Sequence, residues 1–116
     1  MSERDSSLYC SDVLNSGEAI FEYIKGLSFD EFCGDRKTYS AVIREFEIIG
    51  EAVAKIPDSL KQRHSDIEWQ DIKDFRNLLV HEYFGIDLEI VWKIIQDDLP
   101  DLINAIRKIL QSEKEE

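Results

Sequence analysis

A chain of 116 residues, 43% of them apolar, is the size of one ordinary domain and can bury enough surface to fold without disulfides or a structural metal. Its 25 acidic and 14 basic residues leave a formal net charge of −11, which opposes broad contact with a polyphosphate and excludes a general nucleic-acid coat. Any contact with RNA must therefore use a local positive pocket or borrow charge from a basic partner. The amino terminus lacks the order of basic stretch, apolar core and cleavage site that secretion needs, and no apolar run approaches the roughly 20 residues of a membrane span. A soluble, cytoplasmic protein is expected. Cys10 and Cys33 come with no CxxC and no paired histidines, so nothing supports a zinc site, and a reducing cytosol would keep both thiols free.

Two prolines and five glycines are spread along the chain, and apolar residues recur at helical spacing almost throughout, which predicts an all-α fold. A single domain over 1–116 is expected, with the polar tail QSEKEE, 111–116, fraying. The first helix is predicted from about Asp5 to Gly26, with Tyr9, Val13, Ile20, Ile24 and Leu27 on one stripe and Gly26 as the stop. Ser28 and Glu31 have the form of a capping box for a short turn that carries Phe29 and Phe32 toward the core and ends at Gly34. The next helix, about Arg36 to Ile56, carries a heptad seam of Tyr39, Val42, Phe46, Ile49, Val53 and Ile56. A second line, Ile43, Gly50 and Ala54, is small at its carboxyl end and could pack within the chain or against a second copy.

Pro57 opens a short helical turn over DSLKQRH. Ser65 and Glu68 form another capping-box signal before a helix from Ile67 to about Tyr83, closed by Gly85. Asp87 is a good N-cap for the last helix, Leu88 to about Leu110, striped by Val91, Ile95, Leu99, Leu102, Ile106 and Ile109, with a kink or interruption at Pro100. The sum is a bundle of four main helices plus short helical turns.

Chemistry concentrates in RNLLVHEY, residues 76–83. Ile72, Phe75 and Leu79 form its buried line, joined by Leu78. Arg76 and Tyr83 lie seven positions apart, nearly above one another on a different face. His81 is about 140° round an ideal helix from Arg76 and joins the same pocket if the helix unwinds near its end or the pocket is wide. Arg76 can grip two phosphate oxygens with its planar fork and stabilise developing charge on a transferring phosphoryl group. His81 can move protons near neutrality. Acid and base catalysis wants two such groups, and His64 lies in a polar stretch that reads as solvated surface. A two-fold dimer would bring a second His81 and Arg76 to one cleft. Taken singly, each of these residues reads more simply as structural: an arginine bridged to a carboxylate, a histidine and a tyrosine at a bundle edge.

The segment from Tyr39 to Leu110 resembles the HepT family of HEPN-domain proteins. The signature of that family is Arg, four residues, His, any residue, Tyr, and here it is Arg76, NLLV, His81, Glu82, Tyr83, with Asn77 in the usual place after the arginine. FEIIGEAVAKI and IEWQDIKDFRN upstream, and YFGIDLEIVWKII and LPDL downstream, extend the likeness over most of the chain. The resemblance implies an all-α HEPN-type homodimer and a metal-independent endoribonuclease cleft at the dimer interface, with no cofactor. Arg76 and His81 would be catalytic and Asn77 would position. It also implies the toxin half of a toxin–antitoxin pair, whose MntA-type nucleotidyltransferase antitoxin silences it by AMPylation of Tyr83. The bulk and negative charge of AMP beside Arg76 would occupy the place of an RNA phosphate. The alternative is a non-catalytic nucleotide-binding or docking subunit for a nucleotidyltransferase, which the net negative charge favours.

Overall fold

The computed structural model describes residues 3–81 and 87–115, with the side chains of 6–75 and 87–112. Among these residues every regular element is a helix: α1 (Glu3–Ile24), α2 (Phe29–Cys33), α3 (Arg36–Lys55), α4 (Asp58–Arg63), α5 (Trp69–His81), α6 (Leu88–Asp97) and α7 (Leu99–Glu115). The all-α expectation is met. α3 lies between α1 and α5, α1 packs also on α7, and α6 packs on α7 and α2.

α1 buries Val13, Ile20 and Ile24 as its stripe predicts, and adds Ser6, Cys10, Ser16 and Gly17 to that face. The small residues have a purpose at Gly17: a β-carbon there would overlap the side chain of buried Ile103 on α7. The helix stops where expected, with Gly26 in the left-handed region at φ +80°. Ser28 and Glu31 then form the full capping box. The Glu31 amide donates to Ser28 Oγ at 3.2 Å, and the Ser28 amide to Glu31 Oε1 at 3.0 Å. This cap points Phe32 into the core, where its ring meets Trp92 of α6 at 5.1 Å and Tyr39 of α3 at 6.4 Å. One short helix thereby ties two long ones together.

Asp35 caps α3 by accepting from both the amide (3.1 Å) and the hydroxyl (2.7 Å) of Thr38. The predicted seam of α3 is buried from Val42 to Ile56, with Tyr39 packed against it. Its second line divides: Gly50 is buried, Ile43 packs on the core, and only Ala54 is exposed.

Two expectations for the stretch between α4 and α5 need correction. The Ser65–Glu68 capping box does not form; residues 64–66 make a turn, Glu68 is the last residue before α5, and its carbonyl accepts from the Ile72 amide. A helix starting two residues later than predicted leaves Ser65 out of capping reach. His64 is half-buried at the end of α4 rather than fully solvated, because its carbonyl accepts from the Trp69 indole at 3.1 Å. The last predicted helix is interrupted near Pro100, as expected: the chain breaks at Asp98, and Pro100 falls in the first turn of α7, where its missing N–H costs little. The predicted stripe is buried except at one position, where Ile103, four residues after Leu99, is the core residue and Leu102 is only half-buried. Asp87 caps α6 as expected, accepting from the Glu89 amide at 2.9 Å. α7 carries the polar end of the chain on to Glu115, where fraying was expected from Gln111.

Gly17→Ala gains about 1 kcal/mol of helix propensity, but overpacking against Ile103 costs about 1–3 kcal/mol. Net destabilisation is expected in urea melts, and combining it with Ile103→Val, which deletes the obstructing methyl, should cost less than the two single changes added. A stabilised Gly17→Ala, with simple additivity, would refute the close approach. At the α3 cap, hydrogen bonds from the Thr38 hydroxyl and then its amide hold the Asp35 carboxyl below its ordinary value. A depressed carboxylate stabilises the fold above its unfolded pKa, about 3.9, and loses that contribution as pH falls through the lower folded value. The stability difference between the native chain and Asp35→Ala should therefore be full at neutral pH and shrink below about pH 4; a difference independent of pH would contradict it.

Candidate functional site

The RNLLVHEY segment begins on α5, so what holds α5 sets the site. Three contacts do so. The Trp69 indole is bonded to the His64 carbonyl at the helix start, with Lys61 Nζ 6.0 Å from the centre of its ring. Ile72 and Phe75 pack against the core, and the Phe75 ring stands edge-on to Phe46 of α3, centroids 5.1 Å apart at 89°. That edge-to-face geometry sets the positive rim of one ring against the negative face of the other and fixes the helix rotation.

Arg76 and Asn77 directly follow Phe75, and α5 continues as an α-helix through His81. The helix is as predicted up to His81, so of the two conditions for His81 to share a pocket with Arg76, unwinding does not operate within these residues. At about 100° per residue, position 76 falls about 100° from Phe75, on the flank of the helix, while positions 77 and 81, one turn apart, fall about 140° and about 180° from Ile72. The register therefore puts the asparagine and histidine positions on the side turned from α3. The side chains of Arg76, Asn77, Leu78, Leu79 and His81, and the whole of Tyr83 and Gly85, lie outside the described residues.

Beside α5, on the side facing α7, runs an open groove of about 600 Å³ that the sequence did not reveal. Its floor is apolar, from Phe46, Ile49, Ile72, Phe75, Leu102 and Ala105 among others. Its rim holds five carboxylates, Asp66, Glu68, Asp71, Asp98 and Asp101, against a single lysine, Lys108. Such a rim repels phosphate, so this groove is unsuited to an RNA backbone. Among the described residues no three of His, Cys, Asp and Glu gather closely enough to hold a metal ion, and no disulfide joins Cys10 and Cys33. Nor is any described helix long and apolar enough to cross a membrane.

The family model described as Ribonuclease HepT-like matches residues 13–109. A protein of Caldanaerobacter subterraneus subsp. tengcongensis bearing the name Putative RNase is 39% identical over 106 residues, covering 91% of this chain and 95% of that one. A Thermococcus cleftensis protein named Probable ribonuclease HepT is 37% identical over 107 residues, 92% of this chain and 97% of its own. A Methanocaldococcus jannaschii protein, again named Putative RNase, is 35% identical over 111 residues, 96% and 92% of the two chains. No solved structure matches the chain. The match runs from within α1 to within α7 and takes in the whole of residues 76–83: the chain belongs to the HepT-like ribonuclease family.

Proposed function

We propose that this protein is an endoribonuclease that cuts RNA without a metal ion, in a cleft where the α5 helices of two copies meet. The observation that carries the reading is the intact Arg76–Asn77–His81 pattern on a helix whose rotation is fixed by Phe75, in a chain of the HepT-like family. The position of His81 on the side turned from α3 supports a shared cleft, since a regular helix separates it from Arg76 and a second copy can close the gap. A two-fold arrangement also doubles the local positive charge, which a chain of net charge −11 needs in order to hold RNA.

In that cleft Arg76 grips the scissile phosphate and stabilises the charge that builds on it. One His81 takes the proton of the ribose 2′-hydroxyl as its oxygen attacks phosphorus. The His81 of the second copy gives a proton to the departing 5′-oxygen, which leaves a cyclic 2′,3′-phosphate and a 5′-hydroxyl. Asn77 positions the phosphate. The protein is the toxin of a toxin–antitoxin pair, and its partner, a small MntA-type nucleotidyltransferase, transfers AMP from ATP to the Tyr83 hydroxyl with release of pyrophosphate. The added phosphate then lies beside Arg76 and blocks the cleft.

A second reading, a docking subunit that cleaves nothing, draws support from the excess of acid and from the acid-rimmed groove. Cleavage by purified protein shown by mass to carry no AMP separates the two. In the presence of a chelator, RNA should still be cut, with His81→Ala reducing the rate about 10²- to 10⁴-fold and Arg76→Ala comparably. Incubation with the nucleotidyltransferase and ATP should add one or more adenylyl masses, extinguish cleavage, and fail to do either in Tyr83→Phe. Cleavage that needs a divalent ion, or that survives loss of both His81 and Arg76, would overturn the enzyme reading.

A further inference from the structure

Among the described residues α1 packs on α3, α3 on α5 and α1 on α7. Between α5 and α7 the side is open, and there the groove exposes the flanks of Ile72, Phe75, Leu102 and Ala105, all only partly buried. A cleft of about 600 Å³ with an apolar floor has the dimensions of a recognition site rather than of a packing defect. Its rim is just as distinctive. Asp71 and Asp101 sit in the first turns of α5 and α7, where the helix dipole favours acid. That preference accounts for each residue alone. The same preference covers Glu68 and Asp98, which directly precede the two helices; what it does not account for is that the fold sets both helix starts, together with Asp66, around one apolar opening, with no ion pair to any of the five among the described residues.

We infer that the α5–α7 groove docks an amphipathic helix of a partner protein, one that lays apolar side chains on the floor and presents lysines or arginines to the five carboxylates. The apolar floor and the charge of the rim together select this occupant. RNA is disfavoured because its phosphates would face Asp71 and Asp101. A second copy placed groove to groove would set carboxylates against carboxylates, which costs affinity rather than adding to it. The groove and the positions of Asn77 and His81 lie on different sides of α5, so a partner can be held here while the cleft stays accessible. The inference does not depend on the ribonuclease reading.

The probe is a synthetic helical peptide of about four turns, leucine on one face and lysine on the flanks, titrated into the full-length ¹⁵N-labelled protein. Chemical-shift changes should centre on Ile72, Phe75, Leu102 and Ala105, and binding should weaken severalfold as salt rises from 0.05 to 0.5 M, roughly the range over which screening shortens from beyond 10 Å to a few ångströms. Exposed Asp71 and Asp101 can be reversed without touching the core, and the double variant D71K/D101K, shown by circular dichroism to be folded, should lose about tenfold in affinity. Absence of binding, shifts centred elsewhere, equal binding of a peptide with glutamate in place of lysine, or a groove already filled by a second copy of the chain would each overturn the proposal.

Discussion

The contact between α5 and α3 is the constraint on which the rest depends. α5 is one of the shorter packed helices, and its hold on the bundle comes chiefly from Ile72 and from the edge-on meeting of Phe75 with Phe46. Phe46 is itself buried in the seam of α3, which α1 grips along the opposite side. The rotation of α5 is thus inherited from the core. Because the first residue of the RNLLVHEY motif follows Phe75 directly, the same ring that packs the core sets where the arginine, asparagine and histidine positions face. Packing and chemistry are separated by a single peptide bond.

Charge is the second constraint. A formal net charge of −11 forbids a broad basic surface, so any phosphate must be gripped locally. On α5 the two demands are sorted along the helix: acid gathers at its start, at Asp71 and Asp74, while Arg76 comes just after the anchoring ring. Gln70 bonds Asp74 at 2.9 Å on the exposed side, which keeps that carboxylate engaged next to the motif. One helix therefore presents an acid-rimmed groove on one side and the motif positions on another.

Much of the architecture was legible because it is written in local chemistry. The Ser28–Glu31 box, the Asp87 cap, the stop at Gly26 and the heptad seam of α3 each depend on residues within a turn or two of one another, and each formed as read. What was not legible depends on partners far along the chain. Nothing near Gly17 shows that Ile103 will press on it. Nor does spacing decide between Leu102 and Ile103, three and four residues after Leu99, of which the fold buries Ile103 against Gly17. The Ser65 cap failed because the indole of Trp69 bonds back to His64 and delays the helix start. The acid-rimmed groove was invisible for the same reason, since its carboxylates come from two segments that only the fold brings together. For the candidate site the motif itself was readable, as were the helix that carries it through His81 and the packed line of Ile72 and Phe75; the start of that helix, two residues later than read, was not, because helix ends respond to tertiary contacts as much as to sequence.

The central claim is that the cleft belongs to two chains. Cleavage rate per chain, measured across a dilution series alongside the fraction of dimer from sedimentation, tests it directly. Activity should fall in proportion to the dimer fraction and return when the protein is concentrated again. A rate per chain that stays constant where the protein is wholly monomeric would contradict the account.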